Sequence, residues 1–180
     1  MEPPSDEVLV SRCLDGDVRA FGVLVERYQR VMYNVALRVL KRREDAEDAV
    51  QSAFVKAYSH LDRFNPEFRF YSWLYRIAVN EALNASNSRR MSTSLPDSLP
   101  AIDSSPERDL QRTEATKQIE DALMELSPED RAIILLKHFE GFSYDEIAYI
   151  FEIPSAKVKS RLFTARQRLK NVLVSSGYSV

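Results

Sequence analysis

Apolar residues along this chain recur at three- and four-residue steps rather than at alternate positions, the period of helices that bury one face. Ser5 can cap a short first helix that stops at Asp15-Gly16-Asp17, and Asp17 can cap a longer second one. In the second, Phe21, Leu24, Val25, Tyr28, Met32, Val35, Ala36 and Val39 share one face, which predicts a core stripe. A third helix is expected to start in the acidic knot Glu44, Asp45, Glu47 and Asp48, where negative side chains oppose the positive helix end. Its stripe is Ala46, Ala49, Val50, Ala53, Phe54, Ala57 and Tyr58, and the alanines permit close helix approach. Asn65-Pro66 breaks the pattern between Asp62 and Phe68 and predicts a loop. A fourth helix follows from about Phe70 to Asn87, with Phe70, Trp73, Leu74, Ile77 and Ala78 toward the core. Ser72, Arg76, Asn80, Asn84 and Asn87 line another side of it.

Between Met91 and Pro106 the composition turns to Ser, Thr, Asp and Pro, and Pro96, Pro100 and Pro106 are too closely spaced for a stable helix. A linker is expected there, dividing an N-terminal domain of about 90 residues from a C-terminal one of about 65. Beyond it, Ile119, Ala122, Leu123 and Leu126 mark one helix, and Ser127-Pro128 supplies the cap and first-turn proline of the next. Ile133, Ile134, Leu136 and Phe139 make that next helix apolar, and Glu140-Gly141-Phe142 turns the chain. Ser143 with Glu146 has the capping-box pattern and opens a short helix through Ile147, Ala148 and Phe151. After a tight break at Glu152-Ile153-Pro154 comes a longer basic helix with Val158, Leu162, Ala165 and Leu169 on its inner face, completing a helix-turn-helix. With only four glycines in 180 residues and no alternating apolar pattern, the expected class is all-α. The expected architecture is two small helical domains joined by a flexible linker, the C-terminal one carrying the helix-turn-helix.

The formal net charge of −2 gives no whole-chain sign of nucleic-acid binding, but its distribution does. Lys157, Lys159, Arg161, Arg166, Arg168 and Lys170 follow one another without an acidic residue, whereas the third helix opens acidic. One end is suited to DNA and another to a protein. Cys13 is the only cysteine, which excludes an intrachain disulfide and a thiolate zinc site. His60 and His138 lie in unrelated segments, and no glycine-rich phosphate loop is present, so neither an enzyme nor a cofactor is implied. The first residues lack the basic and apolar regions of a signal peptide, and a cytoplasmic protein without direct membrane insertion is expected.

In a helix-turn-helix the second helix enters the major groove, its N-terminal residues reaching base edges while flanking cations meet phosphates. Ser155, Lys157, Lys159, Ser160, Phe163 and Thr164 point away from the inner stripe and are the candidate readers. Lys157, Arg161 and Arg166 are the candidate phosphate contacts. An ordinary bundle helix with a solvated basic face is the bland alternative. The capped short helix, sharp turn and wholly positive second helix favour DNA. Upstream, Phe64, Phe68, Phe70, Tyr71, Trp73 and Tyr75 are interleaved with Arg63, Arg69 and Arg76, more ring faces than one helix face is expected to bury. Rings beside cations and amides suit unstacked bases, each stacked base contributing roughly 1–3 kcal/mol, so single-stranded nucleic acid is the candidate ligand. Trp73, Leu74 and Ile77 are assigned to the core.

Three segments carry a family resemblance. Phe70-Tyr71-Ser72-Trp73-Leu74-Tyr75-Arg76-Ile77-Ala78-Val79-Asn80 resembles the promoter-melting helix of extracytoplasmic function (ECF) sigma factors of the sigma-70 family. Asp48-Ala49-Val50-Gln51-Ser52-Ala53-Phe54-Val55-Lys56-Ala57-Tyr58 resembles their polymerase-docking helix. Ser143-Tyr144-Asp145-Glu146-Ile147-Ala148, followed by Val158-Lys159-Ser160-Arg161-Leu162-Phe163-Thr164-Ala165-Arg166, is similar to their −35-reading helix-turn-helix.

The resemblance implies an alternative sigma factor with a region 2-like domain over 1–91, a linker over 92–113 running toward the RNA exit channel, and a region 4-like domain over 114–180. Asp48 and Gln51, with the neighbouring Glu47, would contact the clamp coiled coil of core RNA polymerase. Phe64, the loop from Asn65 to Arg69, and Asn80 would hold a flipped base of the −10 element, with Tyr75, Arg76 and Asn84 adding contacts. Lys159, Ser160, Phe163 and Thr164 would face the −35 element. The implied partners are core polymerase, promoter DNA that is duplex at −35 and single-stranded at −10, and an anti-sigma factor, with no small-molecule substrate. Two positions depart from the family pattern: Thr164, where a basic residue is frequent, and Glu152, in a turn that ordinarily takes glycine or another small residue. The rival reading is a stand-alone helix-turn-helix regulator, which leaves the aromatic and arginine-rich segment without a purpose.

Overall fold

The computed structural model of the chain describes residues 3–92 and 114–177. Among these residues there are eight α-helices, one 3-10 turn and no strand, the all-helical class expected. Helix α1 (Asp6–Leu14) starts beneath Ser5, whose hydroxyl accepts from the Val8 N–H at 3.5 Å. Asp6 accepts from Arg27 and Tyr28 of α2 (Val18–Leu40), which ties the two helices together. Asp17 caps α2 through the Arg19 N–H at 3.1 Å, and Lys41 ends it in the left-handed region at φ 67°. Helix α3 (Arg43–Ser59) buries Ala46, Ala49, Ala53 and Ala57, and these small faces allow it to lie close against both α2 and α4. The turn Leu61–Arg63 leads to the proline loop and then α4 (Phe70–Ser92), which continues past Asn87 to the edge of the expected linker. Residues 93–113 of that linker lie outside the described residues.

In the C-terminal half, α5 (Glu114–Met124) is followed by α6 (Pro128–His138), capped by Ser127 accepting from the Asp130 N–H at 3.2 Å with Pro128 at its first position. Helices α7 (Tyr144–Phe151) and α8 (Ser155–Ser175) complete the fold. Helix α6 buries Ile133, Ile134, Leu135 and Leu136 on several sides, because it lies between α8 and α2. Two expected core residues lie elsewhere. Tyr58 is 46% exposed, since Ala57 takes the inward position and Tyr58 only edges onto Phe21 at 4.9 Å. Phe139 is 45% exposed, one residue past the end of α6, beneath the Arg38 guanidinium at 4.9 Å.

The two halves dock and share one hydrophobic core. At the junction sits Arg131, only 2% exposed. Its guanidinium donates to Leu123 O at 2.8 Å, Met124 O at 3.0 Å and Leu126 O at 2.8 Å in its own half. It also donates to Val39 O at 2.5 Å and Arg38 O at 3.2 Å at the end of α2. Carbonyls in the last turn of a helix lack intrahelical donors and form its negative pole, so one planar fork of donors serves two helix ends at once. Burial lowers the Arg131 pKa to about 10, partly countered by Glu125, and the group remains charged at neutral pH. Lys41 adds a donor to Met124 O beside it.

Candidate nucleic-acid interface

The helix-turn-helix is built locally. Ser143 Oγ accepts from the Glu146 N–H at 3.1 Å, and Glu146 accepts from the Ser143 N–H at 2.9 Å, the reciprocal capping box that starts α7. Burial alone would raise the Glu146 pKa, but hydrogen bonds from the Ser143 backbone and side chain and from Ser72 outweigh it and hold the carboxyl low. Glu152 ends α7 in the left-handed region at φ 54°, and Pro154 sets the extended entry to α8. Val158, Leu162 and Ala165 are buried, which turns the opposite face of α8 to solvent.

On that face Lys157, Lys159, Ser160, Thr164 and Arg166 are exposed, and Phe163 is 65% exposed. An aromatic ring so uncovered on a reading helix can meet a thymine methyl group. Ser155 and Arg161 are half-buried. The Ser155 hydroxyl donates to Asp145 at 2.5 Å, and Ser160 Oγ donates to Lys157 O at 3.1 Å. Arg166 Nε donates to His138 Nε2 at 3.1 Å. All eight candidates on α8 keep some solvent exposure and four of them, Lys157, Lys159, Arg161 and Arg166, are cationic, while the Ser155 hydroxyl is engaged in bracing the turn against α7.

The second group divides. Asn65 turns the loop by accepting from the Glu67 N–H at 3.0 Å, and both Asn65 and Arg69 are exposed. Phe64 is half-buried, its ring 5.7 Å from Phe70 and 5.5 Å from Trp73. Asn80 is half-buried and Asn84 exposed along α4. Tyr75 is fully buried, its hydroxyl donating to Glu140 at 2.7 Å. The Tyr71 hydroxyl lies 3.0 Å from that of Tyr75 and 3.1 Å from the same Glu140 oxygen. Burial pushes the Tyr71 phenol up to about 12 and the Tyr75 phenol higher still, so both are protonated donors. Arg76 pairs with Glu152 and lies over the Tyr149 ring at 5.0 Å.

One helix face does not bury all of these rings. The C-terminal half covers part of them: Tyr71 stacks on Phe142 at 5.4 Å and Phe68, still 37% exposed, lies on Tyr149 at 3.9 Å, whereas Phe64, Phe70 and Trp73 pack on one another within the N-terminal half. Sequence reasoning missed Arg131, Glu140 and the outward role of Glu146, because the α4 partners of the two glutamates and two of the five partners of Arg131 lie across the linker and no short-range pattern marks them.

A third surface is the apolar groove between α2 and α3, about 540 Å³, lined by Val25, Tyr33, Val50, Phe54 and Val55. Glu47 and Gln51 stand on its rim, and Asp48 is exposed on the neighbouring face of α3. Among the described residues no group of three His, Cys, Asp or Glu side chains is placed to hold a metal ion, and no helix is long and apolar enough to cross a membrane.

Residues 24–91 match the family described as Sigma-70 region 2, and residues 116–169 match Sigma-70, region 4. The ECF RNA polymerase sigma-E factor of Escherichia coli (strain K12) is 40% identical over 183 residues, covering 94% of this chain and 95% of that protein. The RNA polymerase sigma-H factor of Pseudomonas aeruginosa is 36% identical over 184 residues, covering 93% of each. The structure of CnrH in complex with the cytosolic domain of CnrY is similar at a TM-score of 0.69 and 26% identity, covering 96% of this chain and 99% of that one. The sigma factor RpoE, in complex with the anti-sigma factor NepR from Bartonella quintana, shares the fold at a TM-score of 0.65 and 24% identity over 87% of this chain and 98% of that one. With both halves matched in order, and with relatives at this identity over nearly the full length, the chain belongs to the ECF sigma factors of the sigma-70 family.

Proposed function

We propose that this protein acts as an alternative sigma factor in which residues 1–91 bind core RNA polymerase and open the −10 element, 92–113 connect, and 114–180 read the −35 duplex. The observation that carries the reading is the pairing on one chain of two different nucleic-acid surfaces: the cationic outer face of α8, suited to duplex, and the exposed loop residues Phe68 and Arg69 with the half-buried Phe64 and the amides Asn80 and Asn84 of α4, suited to unstacked bases. Lys159, Ser160, Phe163 and Thr164 read base edges, and Lys157, Arg161 and Arg166 meet phosphates. On α4, Asn80 and Asn84 supply amide groups, Arg69 and Arg76 supply charge, and Phe64 offers the edge left free by its packing. The α2–α3 groove with Glu47, Asp48 and Gln51 fits a helical partner, which we assign to core polymerase. The protein acts by binding, without a catalytic centre or cofactor, in the cytoplasm. An anti-sigma factor is its regulator, supported by the likeness to CnrH, which was solved with the cytosolic domain of another protein bound.

The test is reconstitution with core RNA polymerase on promoter templates, comparing the natural chain with an Asp48→Arg, Gln51→Ala double variant. Association with core enzyme and promoter-dependent transcripts are expected, both reduced in the double variant while its thermal unfolding is unchanged. DNA binding by the chain with no association with core polymerase would overturn the reading in favour of a stand-alone regulator.

A further inference from the structure

The outward stripe of α8 steps from Lys159 to Phe163 to Arg166, all exposed and spaced to share one helix face. Arg166 stands about 10 Å beyond Lys159 along the axis, and a major groove is about 12 Å wide. Where Lys159 reaches base edges, Arg166 therefore meets the backbone at the rim of the groove. It does not stand there alone. His138, exposed in the last turn of α6, accepts from Arg166 Nε through its own Nε2 at 3.1 Å. The neutral ring consequently carries its proton on Nδ1. Nε carries the bond to His138, which leaves the two terminal amino groups of Arg166 to take a phosphate as a fork.

The charges around this histidine are positive. Arg166 faces it from α8 and Lys137 precedes it on α6, and burial, then these two cations, hold its pKa below the ordinary imidazole value. The other elements packed on α6 direct their charged and titratable groups elsewhere: Arg38 of α2 lies over the ring of Phe139, Tyr71 and Tyr75 of α4 bond Glu140, and Tyr144 of α7 carries Lys137 on its ring at 4.9 Å. Protonation of His138 in the free protein removes its bond from Arg166 and sets two cations side by side. A phosphate between them reverses that balance, since it accepts from both and neutralises their repulsion.

We propose that His138 and Arg166 together clamp one backbone phosphate of the −35 duplex, with His138 bound as the imidazolium, so that association with DNA takes up a proton. The proposal rests on the assignment of α8 to duplex DNA. Nε2 gains the proton from solvent, gives up the bond it accepted from Arg166 and donates to a phosphate oxygen, while Arg166 donates to the same phosphate through its terminal amino groups. Affinity then rises as pH falls through the pKa of the complex and levels off below that of the free protein, where both states hold the proton.

The test compares the full chain with His138→Gln, which cannot take the charge, and His138→Lys, which carries it permanently, each shown to be folded at both pH values by circular dichroism. His60, the other histidine, is the same in all three proteins, so its titration cancels. Anisotropy of a fluorescein-labelled duplex of mixed sequence reports binding at several ionic strengths, at about pH 7.5 and about pH 5.5, on either side of the ordinary imidazole pKa. On going to the lower pH the natural protein is expected to gain about fivefold more affinity than the Gln variant, the scale of an exposed ion pair. Its slope of log affinity against log salt should steepen by about 0.9 for the added phosphate contact, where that of the Gln variant does not, and the Lys variant should hold the steeper slope at both pH values. Equal pH responses in the natural protein and the Gln variant would overturn the proposal. So would tightening at low pH without a steeper slope, which puts the proton away from a phosphate. No duplex binding by any of the three at either pH would overturn the assignment of α8 itself, and the proposal with it.

Discussion

Replacing Arg131 by Met removes the donors that close the ends of α2 and α5 while keeping an apolar stem of similar length. Two of its five hydrogen bonds, to Arg38 and Val39, cross the junction, and three, to Leu123, Met124 and Leu126, stay within the C-terminal half. A hydrogen bond from a charged donor contributes about 1.5 kcal/mol or more, which makes roughly 3 kcal/mol for the docking and a slightly larger amount for holding α5 on α6. The methionine stem offsets about 2 kcal/mol by apolar burial, and the net loss is about 5 kcal/mol. For a chain of this size each kcal/mol moves Tm by about 2–4 °C, so a fall of at least about 10 °C is expected. Thermal unfolding followed by circular dichroism measures it. Arg131→Lys is a second arm: a single ammonium restores the charge but not the planar fork, and an intermediate Tm is expected. A Met variant melting within about 2 °C of the natural protein would refute the reasoning, and a Lys variant equal to the natural protein would show that charge alone suffices.

Removing Lys157, Arg161 or Arg166 should weaken binding of duplex DNA of any sequence and reduce the slope of log affinity against log salt by about 0.9 per lost contact, measured by anisotropy titrations at several ionic strengths. Thr164→Ala should alter base preference at the −35 element more than total affinity, and an unchanged promoter-library profile would exclude Thr164 from the readers. Burial, then Arg166 and Lys137, lower the His138 pKa in the folded protein, so the unfolded chain takes up this proton first. Stability from this source is intact above about pH 6.5 and is lost as pH falls through the lowered value, and His138→Gln should lose less stability than the natural protein between about pH 7.5 and about pH 5 in denaturant titrations.

Much of this protein was legible in the sequence, wherever physical causes act over a few residues. Caps at Ser5, Asp17, Ser127 and Ser143, the proline at 128 and the stripe of Val158, Leu162 and Ala165 announced helices, turns and the outward face of α8, since hydrogen bonding and periodicity within one helix determine them. What the sequence did not announce lies between segments. Tyr75 and Arg76 read as candidate base contacts because their residue types suit that chemistry, but Tyr75 is buried on Glu140 and Arg76 is paired with Glu152. Of the rings too numerous for one helix face, Tyr71 and Tyr75 are covered by Phe142 from the other half of the chain. Arg131 shows the same limit most sharply, since a lone arginine among apolar residues gives no sign that it will close two helix ends. Local propensity decides which helices form, whereas the docking of two halves depends on complementary charge, shape and unsatisfied carbonyls at positions far apart in the chain, and only the assembled structure brings those into contact.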